Sequence, residues 1–111
     1  MCGPQVPFRN IGPAIYRLVK RRNKSVIPLL CGHGIGTFFH GPPDIYHTLN
    51  NYRGLMKPGM IFTIEPCIAE FGNKIKVTED GFNIATLDGG RTAQFEHTIL
   101  VTENGIDILT A

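Results

Sequence analysis

Apolar positions with a helical spacing lie near the start of the chain. In "PFRNIGPAIYRLVKRRN", Ile11, Ile15, Leu18 and Val19 recur at intervals of three or four residues, and basic residues crowd the end of the segment. Cations are favoured in the last turn of a helix because they interact with its dipole. The pattern predicts one amphipathic helix, with Gly12-Pro13 in or just before its first turn.

The remainder of the chain consists of short runs rich in isoleucine, valine, phenylalanine and threonine, with glycine, asparagine and aspartate between them. These runs are "MIFTIEP", "KIKVTED", "FNIATLD", "TAQFEHTILVT" and "GIDILT". "SVIPLL" is predicted to be a strand at a sheet edge, because Pro28 has no N–H for a ladder. "DIYHTLNNYRG" is predicted to be a helical turn or a loop. The order favours an α+β domain with an antiparallel sheet and one or two covering helices.

Length and charge limit the class of protein. The 111 residues suffice for one domain, and a net charge of +2 gives no electrostatic case for a nucleic-acid partner or a membrane surface. The longest apolar runs are shorter than the roughly 20 residues of a membrane span. Three cysteines without a C-x-x-C pair indicate reduced thiols in an intracellular protein rather than a disulfide scaffold.

Two carboxylates lie in apolar surroundings. In "MIFTIEPCI", strand alternation puts Thr63 and Glu65 on one face, and in "AQFEHTILV" it puts Glu96 and Thr98 on one face, opposite Phe95, His97, Ile99 and Val101. Each glutamate could belong to an edge strand and face water. A buried anion without a cationic partner costs several kcal/mol, so two such carboxylates together favour a site that binds a cation.

The segment "CGHGIGTFFHG" adds imidazoles to this picture. Single histidines are more often core or surface residues than ligands, but the glycines on both sides of His33 allow backbone or an ion to approach closely. One imidazole and two carboxylates suit a divalent first-row metal with open positions for water. The glycine spacing is not that of a dinucleotide-binding loop, and the H-E-x-x-H and G-x-S-x-G motifs are absent from the sequence.

Taken in order, several stretches resemble the type 1 methionine aminopeptidases of the pita-bread metallopeptidase family, peptidase family M24. They are "GPQVPFRNIGPAI", "CGHGIGTFFHGPP", "LMKPGMIFTIEP" and "TEDGFNIATLDGGRTAQFEHTILVTENGIDILT". Together they cover nearly the whole chain. The resemblance implies the C-terminal half of a pita-bread fold over residues 1–111, with the N-terminal half absent.

The resemblance also implies the chemistry. His33, Glu65 and Glu96 match three of the five ligands of a centre for two divalent ions, with Co, Mn, Fe(II) and Zn as candidates. Glu65 is expected to be catalytic as the acceptor of the attacking water's proton. His40 is expected to be catalytic as well, through a hydrogen bond to the scissile peptide. The expected substrate is the N-terminal initiator methionine of a nascent polypeptide.

A second group of positions matches the substrate pocket of the family. Cys31 and Phe39, together with His40, match residues around the methionine side chain. Phe82 matches a position that is tryptophan in many bacterial relatives. These four residues are therefore the expected substrate contacts.

The other two ligands of the family are aspartates in its N-terminal half, and Asp44, Asp80, Asp88 and Asp107 do not match them. We therefore expect little or no activity from this chain alone. The alternatives are a proline-related exopeptidase of the same fold and a non-catalytic pita-bread binding protein or fragment. "FFHGPPDIYH" resembles the organellar form, which favours a mitochondrial over a cytoplasmic location, with the targeting segment upstream of Met1.

Overall fold

The computed structural model describes residues 1–81 and 83–111. A single turn of 3₁₀ helix, Phe8–Asn10, leads into helix α1, Ile11–Arg21. Ten short strands follow: β1 Ser25–Val26, β2 Gly32–Gly34, β3 Gly41–Ile45, β4 Ile61–Ile64, β5 Cys67–Ala69, β6 Ile75–Val77, β7 Ile84–Thr86, β8 Thr92–Gln94, β9 His97–Val101 and β10 Ile106–Ile108.

Helix α1 forms where the apolar spacing predicts it. Pro13 lies in the first turn, where a missing N–H breaks no helical hydrogen bond. Ile11 is buried, and Lys20 and Arg21 occupy the last turn. Gly12 faces the loop after β3, where an added Cβ would lie 1.9 Å from the Thr48 carbonyl oxygen. The helix can therefore pack closely on this loop only because position 12 has no side chain.

The larger sheet has five antiparallel strands in the order β10-β9-β4-β2-β3. In its centre β4 pairs with β9, with Phe62 opposite Ile99 and Thr63 opposite Thr98. One face of this sheet packs on the helix and on the N-terminal segment. The buried apolar residues there are Phe8, Ile11, Ile45, Met56, Phe62, Ile99 and Val101.

A smaller sheet of three strands in the order β1-β5-β8 lies beyond the first, and β6 and β7 form a separate hairpin. A second core of Ile27, Cys67 and Ala69 packs there. The edge position predicted for "SVIPLL" is found, since β1 pairs only with β5 among the described strands. Pro28 lies just after the strand.

The two sheets are joined by two interrupted strands. β4 ends at Ile64 and its continuation β5 begins at Cys67, while β8 ends at Gln94 and β9 begins at His97. The last paired residues of β4 and β9 are Ile64 and His97, and the first pair of the smaller sheet is Cys67 with Gln94. The backbone ladder is thus broken at residues 65–66 on one strand and 95–96 on its neighbour.

This break corrects two expectations. "TAQFEHTILVT" is two strands rather than one, because the chain leaves one sheet and enters the other at residues 95–96. Phe95 is therefore 82% exposed instead of sharing a buried face with Ile99 and Val101, and His97 is exposed as well.

The segment "DIYHTLNNYRG", predicted to be a helical turn or a loop, is mostly loop, although its first two residues, Asp44 and Ile45, belong to β3. Among the described residues, no helix has the length and apolar character needed to cross a membrane.

Candidate metal centre

The three side chains expected to bind metal lie together at the break between the sheets. One ligand atom from each of His33, Glu65 and Glu96 lies within 4.8 Å of the other two. His33 comes from the middle of β2, and the two glutamates come from the two neighbouring strand breaks. His33 and Glu65 are half-buried and Glu96 is exposed, so the group is open to solvent on one side.

Glycines allow β2 to lie between its neighbours. A Cβ on Gly32 would lie 2.2 Å from the Thr63 carbonyl oxygen, and a Cβ on Gly34 would lie 1.9 Å from the Pro42 carbonyl oxygen. Both distances are far below van der Waals contact, so neither position accepts a side chain without movement of β3 or β4. The glycine-rich segment therefore serves close strand packing, and it carries His33 into the site between two such contacts.

Thr63 links the backbone of His33 to the carboxylate of Glu65. The His33 N–H donates to Thr63 Oγ1 at 3.0 Å, and the Thr63 hydroxyl donates to Glu65 Oε1 at 2.9 Å. Thr63 is fully buried. Its position on the same strand face as Glu65 follows from the alternation read in the sequence, and the hydrogen bonds give that face a role in orienting the carboxylate.

The donor atoms of His33 and Glu65 face each other in a way that suits a cation. His33 Nδ1 is 3.1 Å from the Gly34 carbonyl oxygen, which can only accept, so the ring proton lies on Nδ1 in the neutral imidazole. Nε2 then presents a lone pair to Glu65 Oε1, 3.3 Å away. With metal–ligand bonds of about 2.0–2.2 Å, two donors on one ion lie about 3 Å apart. The residues present thus fit a divalent ion.

His47 is a buried residue of this region that no sequence motif marks as functional. Its Nδ1 donates to the Leu30 carbonyl oxygen and its Nε2 accepts from the Glu65 N–H, both at 3.2 Å. Burial lowers the pKa of His47, an effect that the hydrogen bond to Leu30 opposes. His33, His40 and His47 recur every seven residues in the sequence. Both partners of His47 are backbone atoms, which no residue pattern reveals.

The residues expected to contact substrate are divided between two places. His40 stacks edge-on to His33, with ring centroids 4.3 Å apart, and the Phe39 ring lies 4.3 Å from the His40 ring. Phe39 is 74% exposed. Phe82 lies outside the described residues.

Cys31 instead lines a groove of about 840 Å³ on the side of the smaller sheet. The walls of this groove include Leu29, Glu65, Cys67, Ile84 and Gln94, so it reaches one of the three expected ligands. Burial raises the pKa of the Cys31 thiol, and the negative charges of Asp44 and Glu65 raise it further. A thiol held in its protonated form is an apolar wall of the groove rather than a nucleophile.

Comparison with known proteins gives the context of this site. The chain is 46% identical over 109 residues to the mouse protein named methionine aminopeptidase 1D, mitochondrial, matching 98% of this chain and 32% of the mouse protein. It is 47% identical over 112 residues to methionine aminopeptidase 1 of Saccharomyces cerevisiae, matching 100% of this chain and 29% of the yeast protein. The chain thus spans about a third of the length of these relatives.

The fold is also shared with solved structures of methionine aminopeptidases. The crystal structure of methionine aminopeptidase from Thermotoga maritima superimposes with a TM-score of 0.94 at 37% identity, over 99% of this chain and 45% of that one. The prediction of an α+β fold that forms the C-terminal part of a pita-bread architecture is therefore confirmed. The sequence model of metallopeptidase family M24 matches residues 1–103, and the chain belongs to that family.

Proposed function

We propose that this chain contributes the His33, Glu65 and Glu96 side of the metal centre in an aminopeptidase that removes N-terminal methionine from nascent proteins. The observation that carries the proposal is the approach of these three ligand atoms to within 4.8 Å of one another. The similarity to proteins named methionine aminopeptidase supports the choice of substrate. Because the chain matches about a third of those proteins, the proposal concerns the activity of the whole enzyme.

The proposed role of the three ligands is to hold divalent ions, with Co, Mn, Fe(II) and Zn as candidates and two ions in a complete site. A bound divalent ion would supply Lewis acidity to the scissile carbonyl and activate water. Glu65 would accept the proton of the attacking water and pass it to the leaving amine. The Thr63 hydroxyl already occupies one lone pair of Glu65 Oε1, which orients the carboxylate for this transfer.

The substrate would be held from two sides. His40 is exposed next to the His33 ring, where its imidazole can form a hydrogen bond with the peptide to be cleaved. Phe39 supplies an apolar surface beside it, and we assign Phe82 to the same pocket from the resemblance. Cys31 lines the groove next to Glu65, which is wide enough for an unbranched apolar side chain.

The direct test is titration of the protein with Mn(II) and Co(II) by calorimetry, followed by a cleavage assay with Met-Ala-Ser. We expect binding that is lost or weakened at least tenfold in Glu65→Gln and in Glu96→Gln. Glu103→Gln is the matched control, because Glu103 is exposed in the turn between β9 and β10. Equal metal affinity in all three variants would refute the proposed ligand set.

The metal titration and the cleavage assay together separate the alternatives. A proline-related exopeptidase would cleave a peptide with proline in second position in preference to Met-Ala-Ser. A non-catalytic binding protein of the same fold would bind no metal at micromolar concentration and cleave neither peptide. Binding of metal without cleavage by the 111-residue chain agrees with the proposal, since that chain offers three of five expected ligands.

For the compartment we propose the mitochondrion. The support is the resemblance of "FFHGPPDIYH" to the organellar form and the similarity to the mouse mitochondrial protein. The yeast relative, whose name gives no compartment, is equally similar, so cell fractionation with an antibody to this chain is the deciding measurement. Recovery of the protein only in the cytosol would overturn the assignment.

A further inference from the structure

His47 lies two residues after β3 and is one of the most deeply buried polar side chains of the described chain, with 2% of its surface exposed. Both of its ring nitrogens bond to backbone. Nδ1 lies 3.2 Å from the carbonyl oxygen of Leu30, and Nε2 lies 3.2 Å from the backbone nitrogen of Glu65. The imidazole therefore bridges two chain segments that are 35 residues apart in sequence.

The two partners determine the protonation of the ring. A carbonyl oxygen can only accept and a backbone N–H can only donate, so Nδ1 carries the proton and Nε2 is the acceptor. A ring protonated on both nitrogens would place two donors against each other at Glu65. A neutral ring with its proton on Nδ1 is the form that satisfies both backbone groups.

Both partners belong to the segments that hold the site. Leu30 precedes His33 by three residues, just before β2. The Glu65 N–H belongs to the residue at which the ladder between β4 and β9 stops, so no strand neighbour accepts from it. An unpaired backbone N–H in this half-buried position would be costly, and His47 supplies the missing acceptor.

We propose that His47 is a positioning residue that fixes the separation of the His33 and Glu65 backbones and thereby raises the affinity of the site for a divalent ion. This inference rests on the proposed metal centre. The ring contacts neither the carboxylate of Glu65 nor the imidazole of His33 through a hydrogen bond, so its effect passes through the backbone. Outer partners of metal ligands typically change metal affinity by about 10–100-fold when removed.

The test compares three variants of the protein by calorimetric titration with Mn(II) and by urea unfolding. His47→Leu removes both hydrogen bonds at similar volume and is expected to raise the Mn(II) Kd at least tenfold. His47→Gln retains one donor and one acceptor and is expected to recover most of the affinity. Met56→Ala is the control for destabilisation, because Met56 is fully buried in the larger core.

We expect Met56→Ala to lower stability at least as much as His47→Leu but to leave the Mn(II) Kd within twofold of the wild type. Unchanged affinity in His47→Leu, or equal weakening in Met56→Ala, would overturn the positioning role. Weakening in His47→Gln as great as in His47→Leu would also do so.

Nitrogen NMR of the metal-free wild type keeps the inference testable if His47→Leu does not fold. The ¹⁵N shifts of His47 should show a protonated Nδ1 and an unprotonated Nε2 at pH 7.5. A proton on Nε2 would contradict the bridge. If the wild type binds no Mn(II) but shows the expected shifts, the proposed function fails at this cluster while the bridge by His47 stands.

Discussion

Thr63 connects two residues of the candidate metal centre, His33 and Glu65, through one hydroxyl group. It is fully buried, accepts from the His33 N–H and donates to Glu65 Oε1. Valine has nearly the same shape but neither accepts nor donates, so Thr63→Val would leave the His33 N–H without its acceptor. A buried group left unpaired costs about 1–3 kcal/mol.

We therefore expect Thr63→Val to lower the free energy of unfolding by about 1–3 kcal/mol and to weaken metal binding. Thr63→Ser keeps the hydroxyl and should retain the metal affinity. Urea unfolding and Mn(II) titration measure the two effects. If the valine variant matched the serine variant in both, the hydroxyl would have no orienting role.

The sequence identified residues of this site to different degrees. Glu65 and Glu96 were recognisable because a carboxylate among apolar strand residues is costly without a cation, and the resemblance to the family independently marked the same two positions. Thr63 was recognisable as the neighbour of Glu65 on a strand face. His47 was not, because its partners are a carbonyl and an N–H, and every residue type carries those.

At the scale of elements, β2 depends on glycine for its place between β3 and β4. Alanine at position 34 would put a Cβ 1.9 Å from the Pro42 carbonyl oxygen, so the two strands would have to separate. Separation would move His33, the next residue back along β2. A small change in volume therefore acts on the site through the spacing of the sheet.

We expect Gly34→Ala to abolish metal binding and to lower the melting temperature by several degrees. Gly105→Ala is a suitable control, because an added Cβ there meets only the Thr102 hydroxyl oxygen, at 3.9 Å. Differential scanning fluorimetry and Mn(II) titration of both variants provide the comparison. A fully stable, metal-binding Gly34→Ala protein would contradict the packing argument.

The elements themselves were predictable where a pattern lasts long enough. Helix α1 follows from apolar spacing over three turns, and β1, β4, β6, β7, β8 and β10 begin close to the expected residues. No run in the sequence indicated β2, β3 or β5 as strands. The interruption at residues 95–96 was not predictable from "TAQFEHTILVT", because its apolar alternation runs through the break. Which sheet a strand joins depends on its neighbours in space, and β8 and β9 have different ones.

At the scale of the whole molecule, the candidate metal centre lies between two sheets. Glu65 follows the last residue of β4 and Glu96 precedes the first residue of β9, while β5 and β8 continue into the smaller sheet. An ion bound to both carboxylates would hold the two strand breaks together. It would bind the folded chain and not the unfolded one, so it would stabilise the fold.

The size of this effect follows from mass action. At a free Mn(II) concentration of 100 times its Kd, we expect about 2.7 kcal/mol of added stability against unfolding. Glu96→Gln, with a Kd at least tenfold weaker, should lose at least about 1.3 kcal/mol of this increment while keeping its metal-free stability, because Glu96 is exposed. Urea unfolding in the presence of Mn(II) and in the presence of EDTA measures this added stability. An equal increment in wild type and in Glu96→Gln would mean that the ion binds elsewhere.

The interrupted strands also determine how the site can change over evolution or in engineering. Neither glutamate lies within a paired strand, so a substitution in either sheet that alters strand twist or spacing shifts one carboxylate relative to the other without touching it. The distance between the two carboxylates therefore depends on how the strands pack in both sheets. Metal preference, which responds to such distances, should therefore be adjustable from core positions such as Ile27, which packs against the smaller sheet, and Ile99 in the larger one.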